Sequence, residues 1–153
     1  MISSFMKGRV VNKHARWNIC FSDFSQSPDY ENKKGTVVNF NDVELTNHIK
    51  QKLEEMTETV LQGEGNYYYD TSKTGIGFHG DSERKKIIGV KLGEIIPLEY
   101  QYYYEGNPVG DRIHLRSGNG DIYVMDEIAS GNNWKKRKIY TLRHAVGSSK
   151  YIN

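Results

Sequence analysis

One cysteine, Cys20, stands in a chain of 153 residues, so no disulfide can close within it. A reducing, intracellular setting, cytoplasmic or nuclear, is expected. Any metal site must then be assembled from His, Asp and Glu. Long apolar runs are absent too: nothing approaches the roughly 18 residues of a membrane span. The opening stretch MISSFMKGRVVNKH has no apolar h-region of a secretory signal. Charge of one sign is scarce. A net charge of +2 is too mild to announce a nucleic-acid partner by itself. There is no internal repeat, no low-complexity block and no clear linker. These absences leave a single soluble domain over residues 1–153, expected as a monomer. A chain of this length can bury roughly 70% of its unfolded surface, enough for a core and an enclosed pocket.

What is present is tyrosine, 11 residues in all, several in the runs Tyr67–Tyr69 and Tyr102–Tyr104. Aromatics favour strands, and most of these read as strand residues. RWNICF alternates, with Trp17, Ile19 and Phe21 on one face. Residues 22–35 are turn-rich and polar, and GTVVNF follows as a short strand. Asn41 or Asp42 can cap a helix in which Leu45, Ile49, Leu53, Met56 and Val60 recur at helical spacing, with Gly63 ending it. After Gly63 the pattern is β throughout: NYYYD, an extended GIGFHGD, KKIIGVKLG, then LEYQYYY alternating through Leu98, Tyr100, Tyr102 and Tyr104. EGNPVGD is expected to turn the chain. DRIHLR and DIYVMDE are expected to pair across SGNG, and KIYTLRHAVG is the last strand. The expected fold is mainly β with one packed helix (α+β). Residues 1–62 give N-terminal strands and a supporting helix, and residues 63–153 give a small β-barrel core.

Within GIGFHGDSERKK, His79 and Asp81 lie two apart. On an extended segment both point to the same face. Two such ligands need a third to hold a divalent ion, and two His with one carboxylate form the facial triad of non-haem Fe(II) oxygenases. Four other histidines could complete it. His48 sits on the helix and reads as solvated. His14 lies in a basic N-terminal segment. His114 and His144 fall on late strands, and His144 best suits distant strands converging on one metal.

These residues resemble the AlkB-type family of Fe(II)- and 2-oxoglutarate-dependent dioxygenases. ARWNICFSD is similar to that family's early strand, and VELTNHIKQKLEEM to its helix. NYYYDTSKTGIGFHGDSER is similar to its Asn-x-Tyr strand, turn and Ile-Gly-x-His-x-Asp motif, and IIGVKLG and GDIYVMDE to later strands. The block Asn66–Arg84 is the specific part. The resemblance implies a double-stranded β-helix (jelly-roll) barrel with His79 and Asp81 as proximal metal ligands. It implies that Asn66 and Tyr68 hold 2-oxoglutarate, and that Ser82, Glu83 and Arg84 lie within reach of substrate. Fe(II), 2-oxoglutarate and O2 would serve oxidative dealkylation of N-alkylated nucleobases.

The end of the chain departs from the pattern. Trp134 falls near the place of the family's second His, and no His lies between Asp121 and His144. Either His144 is the distal ligand, after an insert rich in Gly, Asn and Lys, or the site is degenerate. The cation for the 2-oxoglutarate carboxylate is open among Arg143, Arg137 and Lys150, and Arg143 should point away from the face of His144. Trp17, Phe21, Tyr69 and Trp134 could stack on a base. The runs Arg84–Lys86 and Lys135–Lys138 could meet phosphates of single-stranded DNA or RNA. A hydroxylase of protein side chains and a non-catalytic nucleic-acid-binding barrel are the alternative readings.

Overall fold

Alternation in RWNICF does produce a strand, and the first unit forms around it. The computed structural model describes residues 3–6, 9–12 and 15–153, so His14 lies outside the described residues. The chain divides into two compact units, residues 1–69 and 70–153. In the first, β1 (Ser3–Met6) and β2 (Arg9–Asn12) form an antiparallel hairpin. The centre of a separate sheet is β3 (Arg16–Ser22), with β4 (Val37–Asn39) parallel on one side and β5 (Gly63–Tyr68) antiparallel on the other. Residues of β5, expected in the second half of the fold, thus pair within the first unit.

The helix α1 spans Glu44–Thr57. Its start differs from expectation. The Asn39 side chain accepts from the Asn41 backbone N–H and caps a 3-10 turn at Phe40–Asp42, so the N-cap of α1 falls one residue later, at Val43, without a side-chain cap. Its end differs as well. Glu58 closes it in the left-handed region, at φ 49, and Gly63 opens β5. Glu54 bonds Lys50 one turn back and accepts the Leu61 N–H, which returns the chain. Of the expected apolar stripe only Leu53 is buried; Leu45, Ile49, Met56 and Val60 are exposed.

The second unit holds β6 (Gly75–His79), β7 (Ile87–Val90), β8 (Leu98–Tyr104), β9 (Asn107–Leu115), β10 (Ile122–Met125), β11 (Thr141–Gly147) and a short α2 (Ser149–Ile152). The pairing is nested and antiparallel: β8 with β9, β7 with β10, β6 with β11. Such nesting describes one long ribbon folded on its β8–β9 turn. A further pairing of β11 with β8 gives a four-stranded sheet ordered β6-β11-β8-β9, with β7 and β10 in another. Leu98, Tyr100 and Leu142 on the larger sheet pack with Met125 from the smaller, so the core lies between them.

Two local readings are corrected by this ladder. The turn expected over EGNPVGD is only Glu105–Gly106, both with positive φ, the geometry of a tight two-residue hairpin. DRIHLR and DIYVMDE do not pair with each other; they enter different sheets. The clean alternation read in LEYQYYY also fails. Residues 98–101 are all buried, while Tyr102 and Tyr104 are exposed. A register shift between Tyr100 and Tyr102 explains part of this, because Gln101 turns its amide onto the Val109 and Gly110 carbonyls there. The architecture is mainly β, with one long helix and several antiparallel sheets. No helix among the described residues is long and apolar enough to cross a membrane.

Candidate metal centre

Antiparallel register brings the site together. His144 on β11 stands directly opposite His79, the last residue of β6. Their rings meet edge-on with centroids 4.5 Å apart. Asp81 follows just beyond the strand, where its backbone N–H donates to the Ser130 carbonyl at 2.8 Å. The ligand-capable atoms of His79, Asp81 and His144 all lie within 4.8 Å of one another. Two distant strands and one strand end thus converge as the spacing suggested, and His144 is the histidine they bring to the pair.

Gly80 between the two proximal residues has a steric reason. A Cβ there would stand 2.7 Å from the Trp134 side chain and would press on the Gly131 carbonyl. Gly131 itself sits at φ +71 with Gly80 Cα 2.8 Å from where its own Cβ would be. Only a pair without side chains lets the 126–136 loop lie against the end of β6. That loop then grips the turn after Asp81. Asn132 donates to the Ser82 carbonyl, Ser130 Oγ to the Arg84 carbonyl, and Trp134 Nε1 to Ser82 Oγ at 3.0 Å. No local pattern marks this clamp, since its partners are about 50 residues apart.

Hydrogen bonding and burial set the state of the two imidazoles. The Gly77 carbonyl, which can only accept, lies 2.8 Å from His79 Nδ1, so the proton belongs on Nδ1 and the Nε2 lone pair is free. His144 is buried, and its pKa is pushed down to about 4. Burial is the largest cause and the neighbouring His79 the next, opposed by the Asp81 charge and more weakly by the Ala129 backbone. Its Nε2 lies 3.7 Å from Asp81 Oδ2, while Nδ1 is buried with no hydrogen bond of ordinary geometry. Asp81 also has the Arg84 guanidinium at 3.8 Å. A cleft of about 290 Å³ opens beside it, lined by residues 80–84 together with Trp134 and Lys135. Arg84 and Trp134, read from sequence as substrate contacts, therefore flank the same cleft as Asp81.

Other expected site residues fall elsewhere. Arg143 does point away from His144: its guanidinium stacks 3.9 Å over Tyr103 and 5.3 Å from Trp134. Lys150 is in α2, with its amine 5.7 Å from the Tyr151 ring. Arg137 donates to the Glu105 carbonyl. His114 bonds Glu99 at 2.9 Å and stands apart from the cluster, and His48 is exposed on α1. Asn66 and Tyr68 lie on β5 of the first unit. Asn66 accepts a hydrogen bond from Asn18 and donates one to Glu64, and Tyr68 has Arg16 5.9 Å from its ring. Trp17, also in that unit, packs against Tyr69 at 5.9 Å.

No family model and no solved structure matches the chain. It is similar to a curated protein of Acanthamoeba polyphaga mimivirus described as uncharacterized, 53% identical over 150 residues. The match covers 97% of this chain and 59% of that relative, so the chain spans about three fifths of the length of the curated protein it matches.

Proposed function

We propose that the chain is an Fe(II)- and 2-oxoglutarate-dependent dioxygenase of the AlkB-like type, with a double-stranded β-helix formed by the nested ribbon. The carrying observation is the His79–Asp81–His144 cluster, set on the β6–β11 pair at one end of that ribbon. The donor set suits a divalent first-row ion: two imidazole nitrogens and one carboxylate. Each imidazole has a feature that suits a ligand. His79 is held in one tautomer by Gly77, and burial disfavours protonation of His144. Three protein ligands leave coordination positions for cosubstrate and O2, as the resemblance implies.

With iron bound, the site would supply oxidation of a C–H bond coupled to decarboxylation of 2-oxoglutarate; on an N-methyl group this ends in demethylation. The protein's own contributions are ligation, orientation and shelter. Gly77 orients His79, Ser130 holds the Asp81 backbone, and Trp134 walls the cleft beside them. Arg84 and Lys135 place positive charge at its rim, which favours a substrate carrying phosphate. The reading is tested by anaerobic Fe(II) and 2-oxoglutarate binding, followed by succinate release with methylated single-stranded oligonucleotides. Stoichiometric binding and oligonucleotide-stimulated succinate are expected. Absence of metal binding would overturn the enzyme reading, and succinate stimulated only by peptides would replace nucleobase dealkylation by side-chain hydroxylation.

A further inference from the structure

We infer that a second, non-catalytic surface in residues 70–153 binds single-stranded nucleic acid: a strip in which the exposed rings of Tyr104 and Tyr140 lie beside the cations of Lys136, Arg137 and Lys138. It concerns the same substrate class as the dioxygenase reading and rests on that reading only for what would happen to a bound strand at the cleft.

Three observations carry it. First, Tyr104 at the end of β8 and Tyr140 just before β11 contact each other, with centroids 5.0 Å apart and planes 36° apart, yet both remain exposed, Tyr140 by 66%. Large rings left in water together need a reason that core packing does not supply. Second, the segment between them and the cleft carries four successive cations, Lys135 to Lys138, all exposed. Third, the segment is fixed in place. Glu105 N–H donates to the Arg137 carbonyl at 2.9 Å, and Arg137 Nη2 donates to the Glu105 carbonyl at 2.8 Å. Those bonds tie the cationic run to the β8–β9 turn, next to Tyr104, while keeping the Arg137 charge. A preformed surface loses less ordering entropy on binding.

The combination selects the partner. Phosphates are met by cations, but a duplex hides its base faces, whereas a single strand offers a ring face with each phosphate. Lys135 lines the cleft at Asp81, and Tyr140 is five residues further on, so the strip leads from the metal cluster to the far end of β8. Fully extended, that stretch spans at most about 18 Å, room for a strand of a few nucleotides.

The test is fluorescence anisotropy with a labelled single-stranded DNA, the RNA of the same sequence and the matching duplex, from about 50 to 200 mM salt. Replacing Tyr104→Ala together with Tyr140→Ala should weaken single-strand binding about 5- to 150-fold, the effect of losing one stacked base, with the salt slope unchanged. Replacing Lys136→Gln together with Lys138→Gln should lower that slope by about 1.4. If the tyrosine pair fails to fold, Tyr140→Leu alone, at the more exposed ring, carries the same expectation. Unchanged affinity in the tyrosine variants, equal binding of duplex, or displacement of the strand by polyglutamate charge for charge would each overturn the strip. Co(II) binding separates the two readings: a wild type that binds the strand but no metal keeps the strip and loses the enzyme. A wild type that binds metal but no strand at low salt does the reverse.

Discussion

The two faces of the β6-β11-β8-β9 sheet solve the same problem, polar groups removed from water, in opposite ways. On the core side, His79 and His144 face each other beside Asp81, next to Tyr100 and the apolar cluster. His144 Nδ1 has no hydrogen bond of ordinary geometry, and burial disfavours its charge. On the other side, Glu99 is equally buried but has cationic company: His114 at 2.9 Å and Arg112 Nε at 3.5 Å. Arg112 in turn lies 5.0 Å over Phe78, and Arg143 over Tyr103. One face pairs its buried carboxylate with cations, although Glu99 Oε2 and Arg143 Nε, like His144 Nδ1, have no hydrogen bond of ordinary geometry. The other gathers three ligand-capable side chains whose atoms lie close enough to hold an ion. A buried group with its partners in place is a structural device; a converging set with spare lone pairs is a candidate site.

The largest expected effect breaks the core face. His79→Ala or His144→Ala leaves two ligands, which do not hold a divalent ion against water, so Fe(II) or Co(II) binding should be lost in either variant. Metal content after anaerobic loading checks this. Retained stoichiometric metal in both variants would end the facial-triad assignment.

Next comes the glycine between the ligands. Gly80→Ala drives a Cβ into Trp134 and the Gly131 carbonyl, and neither is the far end of a flexible chain. A loss of about 1–3 kcal/mol in stability is expected, with metal affinity falling as Asp81 is displaced. Gly77→Ala is the control, since its Cβ meets only the Tyr151 carbonyl at 3.7 Å. Equal melting of the two variants would show that the close approach at Gly80 is not needed.

One side of this contrast, the His79–Asp81 pair and the strands that carry it, is legible in the sequence, and the rest has physical reasons for being hidden. His-Gly-Asp on an extended run, the α1 segment and the individual strands follow from local pattern. The late position of His144 made it the favoured third ligand, and the register sets it opposite His79. Trp134 was read as a possible stacking group; the structure puts its indole on the cleft wall and its N–H on Ser82. What local pattern could not give was the partner of each strand. DRIHLR and DIYVMDE look like a hairpin because they are adjacent, but nesting sends β9 to β8 and β10 to β7. Nor could alternation reveal that Glu99 and Gln101 are buried, because each is satisfied by groups 8 to 15 residues away.

A middle-sized effect sharpens the comparison from the other face. Glu99→Gln removes the carboxylate that Arg112 and His114 share. Both partners reach solvent, so the penalty is well below that of a fully buried pair, about 1–2 kcal/mol. Chemical denaturation measures it. Metal binding should be untouched, because Glu99 lies on the face away from His144. A metal affinity that falls with Glu99→Gln would mean that the two faces are coupled through β8 and β11.

The smallest effect separates the two late histidines, which the sequence alone presented as alternatives. His114→Ala deletes one hydrogen bond to Glu99 from a largely exposed ring. Arg112 remains beside the carboxylate, and water can reach the vacated side. The cost should be about 0.5–1 kcal/mol, seen as a small shift in the denaturation midpoint at unchanged slope. Metal loading should match the wild type, against its loss in His144→Ala. The two variants remove the same side chain from the two strands that flank β8, so the difference between them isolates what the face contributes. A His114→Ala protein that loses its metal would transfer the third ligand to His114 and dissolve the distinction between the faces.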